Sequence, residues 1–276
     1  MKAVLRDWRA RFGLGVLALA VLLAVLAPLV TTADPTLQRD VVATRFLAPF
    51  ATDIHGTWHP LGTDRLGRDV WSRLVYGARI SLGVGALAVL ISTLLGLAVG
   101  TVAGVWSGVP RHALLAVTDF ALALPRVVLL LLLAALWQPS AALVIVVLGV
   151  TGWMSVARLV YGESRAVMTR AYVDGAHALG AGRGRVLVRH VLPNALTPAL
   201  VAAALGFGNA IMLEAGLSFL GVGVQPPAPS WGSLIASGRD TLVNAPWVAL
   251  APGIALVLVV VASTLLGDAV QEARVK

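Results

Sequence analysis

Apolar residues along the chain gather into six long runs separated by polar segments: Gly13–Val30, Leu82–Val105, Ala113–Trp137, Ala141–Val160, Ala195–Leu217 and Trp247–Leu266. Each run, wound as a helix rising ~1.5 Å per residue, is long enough to cross a hydrocarbon core of ~30 Å. The pattern predicts an all-α polytopic membrane protein with six transmembrane helices. The first run follows Lys2, Arg6, Arg9 and Arg11, and Thr31-Thr32-Ala33 loosely resembles a leader cleavage site. The run exceeds the ~7–15 apolar residues of a leader core, so it reads as a retained helix, with cleavage as the alternative.

Composition agrees. Of the 276 residues 58% are apolar and only 12% charged, where about 25% charged is usual in soluble domains. A water-soluble single domain of this length is excluded. The chain has no cysteine, which excludes disulfides, thiolate metal sites and thiol nucleophiles. Lysine occurs only at Lys2 and Lys276, so the phosphate-binding loop of an ATPase, with its central lysine, is absent. The net charge of +8 sits between the apolar runs and reads as positive loops at a membrane rather than as a nucleic-acid surface.

The basic residues also suggest an orientation. With the N-terminus inside, Lys2, Arg6, Arg9, Arg11, Arg111, Arg158, Arg165, Arg170, Arg183, Arg185, Arg189, Arg274 and Lys276 fall on the cytoplasmic side, against Arg39, Arg45, Arg65, Arg68, Arg73, Arg79 and Arg239 outside. Both termini are therefore expected in the cytoplasm. Two loops are long: an outside loop, Thr31–Ser81, ending in what reads as a short amphipathic helix over Asp69–Arg79, and a cytoplasmic loop, Gly162–Asn194. A third, outside segment, Gly221–Pro246, carries Gln225-Pro226-Pro227 and Pro229, and is expected to be extended.

Several features within the runs admit competing readings. Gly96, Gly100 and Gly104 form a strip on one helix face, suited to close helix packing. Asp119 and Arg126 share a face of the third run; two charges cost roughly 5–7 kcal/mol at the bilayer centre, against roughly 3–6 returned by its ten leucines. They must lie off-centre, face protein or water, or find partners; a proton relay is the weaker reading. Glu214, near the end of the fifth run, reads equally as a solvated helix end or as part of a substrate mouth. His55 and His59 have a metal-like spacing, but Gly56 and Pro60 oppose the helix that such a site needs. No hydrolytic or redox constellation stands in a suitable setting.

The most distinctive segment is Ala171-Tyr172-Val173-Asp174-Gly175-Ala176-His177-Ala178-Leu179-Gly180, a slim helix with Tyr172, Ala176 and Leu179 on one face and Gly180 as its stop. A glycine-rich basic stretch then returns the chain to Leu192-Pro193. Such a helix could dock into a groove of a cytoplasmic partner, or lie on anionic lipid. This segment resembles the coupling loop of importer-type ABC transporter permeases, with Asp174-Gly175-Ala176 in the place of Glu-Ala-Ala, Gly180 at the glycine and Leu192-Pro193 at the end. Asp for Glu, Gly for Ala and His190 for Ile are departures. The run from His59-Pro60-Leu61-Gly62-Thr63-Asp64 through Gly67-Arg68-Asp69 to Gly77-Ala78-Arg79, then Leu217–Gly221, Gln225-Pro226-Pro227, Ser230-Trp231-Gly232 and Leu266-Gly267-Asp268, is similar to the C-type permease subunit of the dipeptide/oligopeptide/nickel branch.

The resemblance implies a type I ABC importer permease fold. It divides the chain into residues 1–80 (tail, first helix and periplasmic loop) and a five-helix core, 81–276, holding the coupling loop 162–194. It implies a bacterial inner-membrane subunit paired with a B-type permease, two ABC ATPase subunits and an extracytoplasmic solute-binding protein, and carrying peptides or a related small solute. No cofactor is expected in this chain; ATP and magnesium would sit on the ATPases. Tyr172, Asp174, Gly175, Ala176, His177, Leu179, Gly180, Leu192 and Pro193 would form the ATPase-coupling loop. Gly62, Asp64, Gly67, Arg68, Glu214, Gln225 and Trp231 would shape the periplasmic mouth. The alternatives are nickel as cargo, a proton-coupled secondary transporter using Asp119, Arg126 and Glu214, and a non-transport scaffold or receptor subunit.

Overall fold

The computed structural model describes residues 7–31 and 33–275, with the side chains of Arg126, Ala134 and residues 273–275 outside the description. Lys2, Arg6, Thr32, Arg274 and Lys276, counted above among the basic or leader-like positions, therefore lie outside what is described, wholly or in their side chains. The elements are α1 (Trp8–Val25), α2 (Ala27–Val30), α3 (Val41–Thr44), a small antiparallel hairpin of β1 (Ala51–Thr52) and β2 (Trp58–His59), α4 (Val70–Val105), α5 (Val109–Ala123), α6 (Arg126–Leu136) and α7 (Ala141–Met168). They continue as α8 (Ala171–Ala178), α9 (Arg183–Val186), a π-turn (Leu187–Val191), α10 (Leu192–Phe219), α11 (Trp231–Gly238), a 3-10 turn (Arg239–Thr241) and α12 (Trp247–Val275).

Among the described residues, five helical runs are long and apolar enough to cross a membrane, and a sixth results if α5 and α6 count as one bent span. The bend corrects the expectation of a single straight third helix. Pro125 has no N–H to donate, and it forces Leu124 into an extended conformation (φ −75°, ψ 132°), so the helix stops and restarts at 87°. The separate amphipathic helix expected over Asp69–Arg79 is instead the first part of α4. The Asp69 carboxylate caps its start by accepting the Ser72 N–H at 2.7 Å. The fourth helix continues past Val160 to Met168, which places Arg165 on α7 rather than in a loop. The segment 221–246 is not simply extended, because Ser230 and Ser233 cap each other reciprocally and start α11.

The residues group into two compact units: 7–86, 134–145 and 207–275, and 87–133 with 146–206. In the first unit α1 packs on α12 with Gly13 against the Ala262 carbonyl, and a core of Ala78, Leu82, Ile211, Trp231, Leu234 and Val259 forms between α4, α10, α11 and α12. The long loop after the first helix is tied to the helices by indole N–H groups. Trp71 donates to the Val30 carbonyl at 3.1 Å and Trp247 to the Thr63 carbonyl at 3.2 Å. In the second unit the glycine strip of α4 faces α7: a Cβ at Gly96 would meet Val156, one at Gly100 the Ala157 carbonyl, and one at Gly104 Ser164. Backbones approach this closely only where no side chain intervenes.

Candidate functional site

In the second unit, α8 is a mostly exposed helix with one fully buried side chain. Val173 is fully buried in a cluster with Val105, Val167, Val186 and Val191. Tyr172 is not part of that anchor; its half-exposed ring stacks on His190, with centroids 5.6 Å apart. Gly180 ends the helix at φ +84°, and the Gly180 and Ala181 N–H groups close onto the His177 and Ala176 carbonyls, both at 2.9 Å. A His177 ring nitrogen lies 3.0 Å from the Ala181 carbonyl and reinforces the turn. Asp174 and Gly175 are exposed and Ala176 half-buried, while Leu179 stands out at 88% exposure. Leu192 and Pro193 lie in the first turn of α10, inside a helical run that starts already at Arg183. The Leu192 N–H reaches back to the Leu187 carbonyl in a π-turn just ahead of Pro193, whose missing donor would interrupt an ordinary α-helix.

In the first unit, the segment around residues 65–73 and the segment 218–240 wall a cavity of about 630 Å³. Arg68 and Gln225 line it, together with Arg65, Arg73, Ser218 and Asp240. Asp64 lies just behind, fully buried. It accepts the Leu66 and Arg68 backbone N–H groups on one oxygen and the Arg68 guanidinium at 2.7–2.8 Å on the other, with Arg73 Nε 3.7 Å away. The other expected mouth residues have different places. Gly62 (φ +70°) passes beneath Trp247, and Gly67 (φ +69°) packs on Thr44; both shape the backbone, where a side chain would collide. Trp231 is buried in the helix core, its indole N–H on the Leu74 carbonyl. Glu214 is fully buried rather than solvated at a helix end. One carboxylate oxygen accepts the Ser218 hydroxyl at 2.7 Å, and the Ser81 and Ser230 side chains lie close enough to act on the same carboxylate.

His59 lies at a hairpin, not on a helix. One ring nitrogen is 2.8 Å from Asp69 and the other 3.4 Å from Asp53. Burial pushes the Asp53 carboxyl up, but N–H groups of Thr57 and His55, with His59, outweigh this and hold it below its ordinary value. Asp119 pairs with Arg158 of α7, a partner the sequence did not suggest. The Arg126 side chain lies outside the described residues, so its pairing with Asp119 is not seen. Residues missed by sequence reasoning were Val173, Arg158, Arg73 and His190 as a stacking partner; only the four-residue spacing of Asp64 and Arg68 gave a local signal.

The chain matches the family model for the binding-protein-dependent transport system inner membrane component over residues 78–275. The chain belongs to this family. Among relatives of the permease, a putative peptide transport system permease protein of Brucella abortus is 38% identical over 98% of this chain and 88% of its own length. A dipeptide transport system permease protein of Alkalihalophilus pseudofirmus is 33% identical over 99% and 87%. A di/tripeptide transport system permease protein of Pseudomonas aeruginosa is 37% identical over 95% and 86%. The permease is thus a multi-helix inner-membrane component of a transport system.

Proposed function

We propose that the permease forms half of the translocation path of an ABC importer for di- or oligopeptides. It would work beside a second permease subunit, with two ATPase subunits docked on α8 and an extracytoplasmic binding protein delivering cargo. Support for the cargo comes from the relatives, which are named for peptides rather than nickel. Support for the coupling role comes from α8. It is slim, exposed at Asp174, Gly175 and His177–Gly180, and fixed at its base by Val173, so a push on its exposed face passes into α4, α7, α9 and the π-turn ahead of α10 through the valine cluster. Residues 81–276 would be the core and both termini cytoplasmic, as the distribution of Lys and Arg suggests. ATP binding would close the ATPases, move α8 and tilt the helices so the path opens outward; hydrolysis would reset it.

The test is reconstitution. Co-purification with an ATPase pair and peptide-stimulated ATP hydrolysis in liposomes are expected. Uptake by this polypeptide alone on an ion gradient would overturn the reading. Asp174→Arg should leave membrane insertion intact but abolish uptake; normal uptake in that variant would contradict the role of α8.

A further inference from the structure

We infer that the 630 Å³ cavity binds the C-terminal carboxylate of the peptide in transit, held by the guanidinium of Arg73 with Arg65 and Arg68 beside it. The inference rests on the peptide reading above and names where this subunit grips the cargo.

The wall of the cavity carries a charge imbalance. Arg68 is 7% exposed and Arg73 4%, yet Asp64 is the one carboxylate placed against both. Asp64 is already saturated. Two backbone N–H groups and the Arg68 guanidinium occupy its oxygens at 2.7–3.0 Å. Arg73 makes a hydrogen bond from Nη1 to the Pro35 carbonyl at 3.0 Å, while its buried Nε has no hydrogen-bond partner among the described residues. A guanidinium cannot shed its proton, so this side chain carries a buried charge with an unused donor. Asp64, 3.7 Å from that Nε, offsets only one of the two guanidinium charges, and burying two such groups against one carboxylate is costly unless a second anion meets them. Asp240 also reaches the cavity, but it is bound to Arg239 at 2.9 Å. Arg65 adds a further exposed positive charge at the wall, within electrostatic reach of the Asp240 carboxylate.

The size and chemistry of the space identify the ligand. Small-ligand sites span roughly 300–1,000 Å³, and this cavity falls within that range. The planar fork of an arginine matches a carboxylate in two-point geometry. A peptide with a free C-terminus carries such a carboxylate whatever its side chains, so the site would hold diverse peptides by their common end. Gln225 and Ser218 supply neutral polar groups on the same wall.

The test uses the complete transporter in proteoliposomes, with the binding protein saturated with either trialanine or trialanine amide. Wild type should carry the free acid faster than the amide by about tenfold or more, the worth of one charge-assisted hydrogen bond. Arg73→Gln should bring the ratio close to one by slowing the acid. Arg65→Gln, at an exposed position, should lower it without a folding defect, and Arg73→Lys, which keeps the charge but not the two-point fork, should retain only part of the preference. An unchanged ratio in Arg73→Gln and Arg65→Gln would overturn the inference. So would equal slowing of both peptides with a raised half-saturating concentration of loaded binding protein, since the guanidinium would then be meeting an acidic side chain of that partner. If wild type hydrolyses ATP with its partner subunits but carries neither peptide, the peptide reading itself fails. If it carries both equally, only the cavity assignment fails.

Discussion

The ring of Tyr172 rests against that of His190, centroids 5.6 Å apart and planes inclined at 42°. Tyr172 opens α8 and His190 lies in the π-turn that leads into α10, so the pair braces the exposed helix against the limb that returns to the membrane. Together with Val173 it makes α8 a lever rather than a loose loop.

His190→Ala should remove that brace. An aromatic pair contributes about 0.5–1.5 kcal/mol beyond its buried area, too little to unfold the protein but enough to loosen α8. The expected result is normal co-purification of the ATPases with weaker peptide stimulation of ATP hydrolysis. Phe at position 190 should restore most of it.

Val173→Asp should be far more severe. It places an unpaired charge in a fully buried valine cluster. The expected outcome is loss of ATPase co-purification, while Val173→Ala, costing about 1–2 kcal/mol by cavity formation, should retain it.

Two glycines of the second unit should respond in opposite ways. At Gly100 an added Cβ would stand 2.6 Å from the Ala157 carbonyl, so Gly100→Leu should separate α4 from α7 and lower the unfolding temperature in detergent. At Gly175 nothing lies within 4 Å. Gly175→Ala should therefore strengthen α8, by up to ~1 kcal/mol of helix propensity, and raise protection of residues 171–178 in hydrogen exchange.

The outer hairpin should be acid-sensitive. Asp53 is held below the ordinary carboxyl value of 3.8 in the folded protein. Its contribution is therefore present above that value and is lost as pH falls through the lower folded pKa. Hydrogen exchange over residues 51–59 should accelerate below about pH 4 in the wild type. In Asp53→Asn, which has no such carboxylate, that step should vanish.

What the sequence shows and what it hides follow from the range of the interactions. The end of α8 at Gly180 was legible because a left-handed glycine after a short helix is a local rule. The glycine strip was legible because its spacing alone puts it on one face. The break at Pro125 was not, because apolarity runs on through a residue that withholds a donor. Glu214 looked like a solvated helix end, since nothing nearby in sequence announces the Ser81–Trp231 contact, 3.1 Å from Ser81 Oγ to the Trp231 N–H, that closes the same core. The pairing of Arg158 was hidden because its partner, Asp119, lies on another helix.

The central claim is that α8 is gripped by an ATPase subunit. The chain has no cysteine, so Leu179→Cys places a single thiol on the most exposed apolar side chain of the segment. Short-span thiol cross-linking of the assembled transporter should join position 179 to an ATPase subunit carrying a single surface cysteine, with a yield that changes on ATP binding. A thiol modified only by lipid-borne reagents, and joined to no ATPase in any nucleotide state, would contradict the account.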